Sequence, residues 1–118
     1  MTVRVLIVED EVLIGLDLAD QLSDEGFAVV GIATSTAEGM SLFSSKGCDI
    51  ALLDVNLGTE NSAPLAHELV ARQVPFIAVT GYSAEQCPLV FKGTPFLVKP
   101  FQFKRLLAEI HRCVGPTS

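Results

Sequence analysis

Five short runs of apolar residues alternate along the chain with longer segments in which apolar residues recur every three or four positions. The short runs are rich in Val, Ile and Leu, which is typical of strands that are covered on both faces in a parallel sheet. They predict strands at Val3–Val8, Phe27–Ala33, Asp49–Leu53, Phe76–Thr80 and Phe96–Val98.

The longer segments have the period and the end signals of helices. A first helix is expected from about Glu11 to Glu25, a second after the capping box that begins at Ser35, and a third over about Ser62–Arg72. The clearest helix is the last, which is expected from Phe103 to Val114. The residues expected to face the core are Val12, Leu16, Ala19 and Leu22 in the first helix, Ala37, Met40 and Phe43 in the second, and Leu65, Ala66, Leu69 and Val70 in the third.

The fourth helical segment is the least regular. It opens with a capping-box pattern at Ser83, but Pro88 lies about five positions further on. Proline removes a backbone donor and disfavours helical geometry at the preceding residue, Cys87. A short, irregular or displaced helix is therefore expected here.

Five strands that alternate with five helices indicate an α/β fold, a doubly wound five-stranded parallel sheet with helices on both faces. Right-handed crossovers leave few topologies, of which the flavodoxin-like strand order 2-1-3-4-5 fits best. A length of 118 residues suits a single domain that covers residues 1–118.

The charge of the chain narrows the classes of partner. With 14 acidic and 8 basic residues and a net charge of −6, binding to nucleic acid or to an anionic membrane is not expected. No apolar run has membrane-spanning length and no signal-peptide pattern is present, so a cytoplasmic protein is expected. The cysteines form no metal-binding pattern, and His67 and His111 are interpreted as helix-surface residues.

Acidic residues follow two strands that the predicted order makes neighbours. Glu9 and Asp10 come directly after the first strand, and Asp54 ends the third apolar run. Carboxyl ends of adjacent parallel strands meet at one edge of the sheet, where α/β proteins bind ligands. Three clustered carboxylates repel one another unless a cation neutralises them, and Mg²⁺ prefers such oxygen ligands. The alternative is that Glu9 and Asp10 only favour the positive end of the first helix.

Two further strand ends favour the metal site. Thr80 ends the fourth strand with a hydroxyl group, and Lys99 follows the fifth strand with an ammonium group. A metal ion, a lysine and a hydroxyl group together suit the binding of a phosphoryl group. A carboxylate among them, Asp54, can act as a nucleophile and form an acyl phosphate.

These segments resemble the receiver domain of bacterial two-component response regulators over nearly the whole chain, from about Val3 to Arg112. The matching segments are Val-Leu-Ile-Val-Glu9-Asp10-Glu11, Leu-Leu-Asp54-Val-Asn56, Val-Thr80-Gly81 and Phe96-Leu-Val-Lys99-Pro100-Phe101.

The resemblance implies a role for each site residue. Asp54 accepts phosphate from a histidine kinase or phosphotransfer protein. Asp10 and Asp54 bind Mg²⁺ directly, Glu9 through water and Asn56 through its backbone carbonyl. The resemblance also implies phosphate contacts by Thr80 and Lys99, a conformational switch made of Thr80 and Phe96, and a cis peptide bond between Lys99 and Pro100.

Two departures from the usual receiver pattern affect the expected output. After Asp54 the chain reads Leu57-Gly58 where the family usually has Met-Pro. The strand that ends in Thr80-Gly81-Tyr82 is similar to a receiver subset with an F-x-x-x-T-G-Y motif and an unusual fourth helix. Many members of that subset are stand-alone regulators. The expectation is a regulator without an output domain that signals to a downstream protein, dimerises on phosphorylation, or passes phosphate along a phosphorelay.

Two other functions compete with this interpretation. A Mg²⁺-dependent phosphohydrolase of the haloacid dehalogenase type usually has a second Asp two residues after its nucleophile, where this chain has Asn56. A nucleotide- or flavin-binding module needs a Gly-rich turn after the first strand, where this chain has acidic residues. The chain is therefore expected not to be an enzyme beyond its own phosphorylation and dephosphorylation. Tyr82 is expected to shield the acyl phosphate from water.

Overall fold

Seven strands, four α-helices and one short 3-10 helix are formed by the residues that the computed structural model describes, 2–81 and 87–115. In chain order they are β1 Arg4–Val8, α1 Val12–Asp24, β2 Ala28–Ala33, α2 Thr36–Lys46, β3 Ile50–Asp54, β4 Asn56–Leu57, β5 Glu60–Asn61, α3 Ala63–Ala71, β6 Phe76–Thr80, the 3-10 helix Leu89–Phe91, β7 Phe96–Val98 and α4 Phe103–Val114.

The main sheet has the order β2-β1-β3-β6-β7, and all of its pairs are parallel. Counted within this sheet alone, the order is the predicted 2-1-3-4-5. The flavodoxin-like fold is therefore confirmed. Val8 of β1 pairs with Leu53 of β3, so the chain segments that follow these two strands leave the sheet side by side. The small antiparallel hairpin β4–β5 lies outside this sheet and was not predicted.

Two hydrophobic cores lie on opposite faces of the sheet because successive strand residues point to opposite sides. In β1, Leu6 and Val8 belong to the core covered by α2 and α3, and Val5 and Ile7 to the core covered by α1 and α4. All four residues are at most 1% exposed. Their burial explains why the strand sequences are apolar without alternation.

The predicted core face of α1 is wrong in its first half. Val12 and Leu16 are 56% and 49% exposed, whereas Gly15 is buried. A β-carbon on Gly15 would lie 2.9 Å from the Cγ2 atom of Ile32 in β2. The helix approaches the sheet at its glycine, so the larger side chains on either side are turned outward.

The predicted core faces of α2 and α3 are also wrong in part. Ala37 is exposed while Gly39 is buried, and a β-carbon on Gly39 would lie 2.8 Å from Leu65 Cδ2. In α3 Val70 is 55% exposed, although Leu65 and Leu69 are fully buried as predicted. Because α2 packs closely on α3 at Gly39, it is Gly39 and not Ala37 that faces the core.

The fourth helical segment, which the sequence predicts to be short, irregular or displaced, contains the 3-10 helix Leu89–Phe91 in its described part after Pro88. Its predicted capping box lies outside the described residues. Proline is the N-cap residue of this 3-10 helix and has an extended ψ of 152°, so the 3-10 helix begins at the residue after it. Among the described residues the sheet carries four α-helices.

Candidate functional site

Glu9, Asp10 and Asp54 converge at the carboxyl ends of β1 and β3. Each offers a carboxylate oxygen, and these oxygens lie within 4.8 Å of one another. Glu9 and Asp54 are 3% and 7% exposed, whereas Asp10 faces solvent. The site therefore has two buried carboxylates at its base and one at its opening, a set of hard oxygen donors that fits Mg²⁺.

Lys99 bridges the two buried carboxylates. Its Nζ atom lies 2.7 Å from Glu9 Oε1 and 2.9 Å from Asp54 Oδ2. Partial burial lowers the pKa of the ammonium group, but the hydrogen bonds and charges of Glu9 and Asp54 outweigh this effect, so the pKa of Lys99 is raised. Lys99 is therefore charged at neutral pH and fixed beside Asp54.

The formal charge of the site supports cation binding. Three carboxylates and one ammonium group leave a net charge of −2, which one divalent cation cancels. Lys99 forms hydrogen bonds with Glu9 and Asp54 but not with Asp10. Because Asp10 is exposed, a cation can reach the site from solvent and bind this carboxylate beside the two buried ones.

Thr80 and Asn56 stand on the side of the site formed by β6. Thr80 is fully buried, and its Oγ1 atom accepts a hydrogen bond of 3.4 Å from the Asn56 side chain. The backbone N–H of Asn56 also donates to Asp54 Oδ1 at 3.3 Å. Asn56 therefore contacts both the carboxylate and the hydroxyl group, and the predicted site residues occupy one region.

Ser62 is a residue that the sequence interpretation missed. It was assigned only as the start of the third helix, but its side chain does not cap that helix. Its hydroxyl group donates instead to the backbone carbonyl of Asp54 at 2.8 Å, and the residue is fully buried. No local signal marks this role, because a serine before a helix with proline in its first turn is typical of an ordinary N-cap.

Residues 5–111 match the family model of the response regulator receiver domain. The chain belongs to this family. The receiver domain accounts for the alternating strands and helices and for the acidic cluster at the sheet edge, and this match gives no support to the phosphohydrolase alternative.

Known proteins similar to this receiver domain are regulators. The chain is 33% identical over 118 residues to the transcriptional regulatory protein PdtaR of Mycobacterium tuberculosis, an alignment that covers 95% of this chain and 57% of PdtaR. The chain thus spans little more than half the length of that relative.

Solved structures agree with the fold. SdrG from Sphingomonas melonis superposes with a TM-score of 0.82 at 36% identity, covering 96% of this chain and 97% of SdrG. The response regulator TrrA from Thermotoga maritima, whose crystal structure is a complex with Mg²⁺ and BeF, has a TM-score of 0.82 at 26% identity, with coverage of 96% and 99%.

The remaining sequence expectations for this receiver domain have mixed outcomes. The Lys99–Pro100 peptide bond is cis, as the resemblance implied. Phe96 is half-buried and packs against the core that includes β6 residues Phe76 and Ala78. Tyr82 lies outside the described residues.

His67 and His111 are exposed on α3 and α4, as the sequence predicts. Among the described residues no helix is long and apolar enough to cross a membrane.

A cleft of about 410 Å³ opens beside the acidic cluster. It lies between α1 and the segment from Lys99 to Phe103, and its walls include Ile14, Leu18 and Phe101. Asp54 and Glu9 form part of its lining. The cleft therefore connects the buried carboxylates with the surface of α1.

Proposed function

We propose that Asp54 is the phosphoacceptor of this receiver domain and takes its phosphoryl group from a phosphohistidine of a histidine kinase or phosphotransfer protein. The observation that carries the proposal is the contact of Asp54 with Lys99 beside two further carboxylates. A buried carboxylate between a fixed ammonium group and a cation site is suited to attack on phosphorus.

The proposed reaction is a displacement at phosphorus. A carboxylate oxygen of Asp54 forms a bond to phosphorus while the bond from phosphorus to the donor imidazole nitrogen breaks, and the electron pair stays on that nitrogen. Lys99 and the hydroxyl group of Thr80 bind the oxygens of the transferred group, which carry negative charge. No other base is needed, because a carboxylate nucleophile has no proton to lose when it attacks.

Mg²⁺ is the proposed cofactor. Bound Mg²⁺ neutralises charge on the phosphoryl oxygens and orients the donor. Asp10 and Asp54 are the proposed direct ligands, with Glu9 acting through water and Asn56 supplying its backbone carbonyl, the roles that the resemblance to receiver domains implies.

The donor would approach along α1. Leu13 and Leu16 on this helix are 80% and 49% exposed. Other residues of the same helix, Ile14 and Leu18, line the cleft that reaches Asp54. A partner helix that carries the phosphohistidine could cover Leu13 and Leu16 while its imidazole ring enters the cleft. Partnership with a histidine kinase would place the protein in the cytoplasm.

The proposed output is a protein contact made by residues 1–118 acting as one receiver domain. Phosphorylation would draw Thr80 toward the phosphoryl group and free Phe96 to change its rotamer, a two-state element biased by a local charge. The target is a downstream protein, a second phosphorylated copy or the next member of a phosphorelay. Nucleic acid is not proposed as a partner, since the net charge is −6.

Incubation with acetyl phosphate and Mg²⁺ tests the proposal. Intact-mass spectrometry should show one added phosphoryl group, which EDTA prevents. Asp54→Asn should abolish the modification, whereas the matched control Asp20→Asn, an exposed carboxylate on α1, should leave it unchanged. Modification of Asp54→Asn at the native rate would refute the assignment, and sustained turnover of p-nitrophenyl phosphate would favour an enzyme.

A further inference from the structure

Ser62 makes two hydrogen bonds to consecutive carbonyl groups at the end of β3. Its hydroxyl group donates to the carbonyl of Asp54 at 2.8 Å, and its backbone N–H donates to the carbonyl of Val55 at 2.9 Å. The residue is fully buried. One residue therefore holds the carbonyl groups of two consecutive residues, the proposed phosphoacceptor Asp54 and Val55.

The direction of the hydroxyl group is informative. Ser62 is the N-cap residue of α3, a position where serine usually accepts a hydrogen bond from the helix. Here the side chain of Asn61 accepts a hydrogen bond from the start of the helix instead, because its Oδ1 atom lies 2.9 Å from the N–H of Ala63. The Ser62 hydroxyl group is thereby left to contact Asp54.

The segment that Ser62 holds carries the chemistry of the site. The N–H of Val55 donates to the carbonyl of Val79 at 2.8 Å, so β6 fixes the strand end from the other side. The next N–H, that of Asn56, donates to Asp54 Oδ1. A change in the main chain between Asp54 and Asn56 would therefore alter the position of this donor relative to the Asp54 carboxylate.

We propose that Ser62 is a positioning residue for phosphoryl transfer, which acts through the main chain of Asp54. The inference deepens the proposed function and rests on it. Between Val55 and Ser62 the chain leaves the sheet to form the β4–β5 hairpin. Ser62, which follows the hairpin, is hydrogen-bonded to the end of β3 and the residue after it. Its hydroxyl group holds Asp54 and Asn56 in the orientation that attack on phosphorus requires.

The test compares phosphorylation rates of serine variants. Ser62→Ala keeps the side-chain size close to the original but removes the donor, so the rate constant at saturating acetyl phosphate and Mg²⁺ should fall about 10- to 100-fold, the loss typical of a small misplacement of reacting groups. Affinity for beryllofluoride should fall as well. Ser62→Thr, which keeps a hydroxyl group, should recover a large part of the rate.

Ser35→Ala is the matched control. Ser35 is the N-cap of α2, and its hydroxyl group accepts a hydrogen bond of 3.1 Å from Glu38, so this variant also loses one serine hydrogen bond. Its rate should stay within about twofold of the native rate. Equal rate losses in the two alanine variants, or a native rate in Ser62→Ala, would overturn the inference.

Ser62→Cys, a size-matched variant with a weak donor, provides the same comparison if the alanine variant does not fold. It should lose rate to a similar extent, and a native rate would again contradict the positioning role. The proposed function fails separately, if the native protein is not phosphorylated or if Asp54→Asn still is.

Discussion

Lys99 lies 2.9 Å from Asp54, although the two residues are 45 positions apart in the chain. The same ammonium group contacts Glu9 at 2.7 Å, so it holds two of the three carboxylates that form the candidate cation site. A cation that enters this site meets the positive charge of Lys99 as well as the negative charges. Lys99 should therefore oppose metal binding while it supports phosphoryl transfer.

Lys99→Met separates these two effects. We expect Mg²⁺ to bind about tenfold more tightly, the effect of removing a unit charge about 6 Å from a divalent ion in a water-like dielectric. The rate of phosphorylation by acetyl phosphate should fall in the same variant, because the ammonium group no longer binds the phosphoryl oxygens. Isothermal titration calorimetry and intact-mass time courses measure the two quantities. Lys104→Met, an exposed lysine on α4, is the control, and unchanged Mg²⁺ affinity in Lys99→Met would contradict the argument.

The carboxylates should differ in their importance for Mg²⁺. Asp10→Asn should weaken binding more than Glu9→Gln, because Asp10 is exposed and available while Glu9 is held by Lys99 and by the N–H of Glu11. Binding to the folded state also raises stability, so the dependence of the unfolding temperature on Mg²⁺ concentration reports the ranking. A larger loss in Glu9→Gln would show that Glu9 is the direct ligand.

Glu60 should contribute a pH-dependent stabilisation. Its Oε1 atom accepts a hydrogen bond of 2.7 Å from the N–H of Thr36 at the start of α2. The hydrogen bonds from Thr36 lower the pKa of Glu60 below its ordinary value of 4.5. Since the folded-state pKa is the lower one, this stabilisation is present above the unfolded-state pKa and is lost as the pH falls through the folded-state value.

Glu60→Gln tests this linkage through urea unfolding at a series of pH values. The variant should be less stable than the native protein at neutral pH, and the difference should shrink as the solution becomes more acidic than pH 4.5. Glu25→Gln, at the exposed end of α1, serves as the comparison. A stability difference for Glu60→Gln that does not vary with pH would mean that the hydrogen bond to α2 does not depend on the charge of Glu60.

Gly15→Ala should destabilise the protein although alanine favours helices. The added β-carbon would lie 2.9 Å from Ile32 Cγ2, and overpacking of this kind costs about 1–3 kcal/mol, against a gain of about 1 kcal/mol in helix propensity. The free energy of unfolding in urea measures the net effect. In an Ile32→Ala background the substitution should be less harmful, because the contacting methyl group is absent. Equal effects in both backgrounds would contradict the proposed contact.

Activation should change the segment from residue 82 to residue 101. Phe96 is half-buried beside β6, whose last residue is Thr80, and the 3-10 helix Leu89–Phe91 precedes it in the chain. Hydrogen exchange with and without beryllofluoride should therefore differ most in this segment. Asp54→Asn treated in the same way should show no change. Differences confined to α2 and α3 would place the output surface elsewhere.

The sequence alone determined the order of the sheet and the residues of the candidate site at its edge. Continuous apolar runs identified the five main strands, because a strand that is covered on both faces has apolar residues at successive positions. Asp54, Thr80 and Lys99 follow from this directly, since the end of each run marks the edge where ligands bind. These inferences need only the geometry of a single strand and the rules of parallel connection.

Tertiary structure decided which side chains those elements direct inward. The period of α1 shows Val12, Leu16 and Leu22 as one stripe, but only the approach of Gly15 to Ile32 settles that the first two face solvent. The hydrogen bond from Ser62 to Asp54 likewise depends on a hairpin that returns the chain to β3. Helical period is a local property, whereas close packing and buried hydrogen bonds depend on the shape and position of a partner distant in sequence.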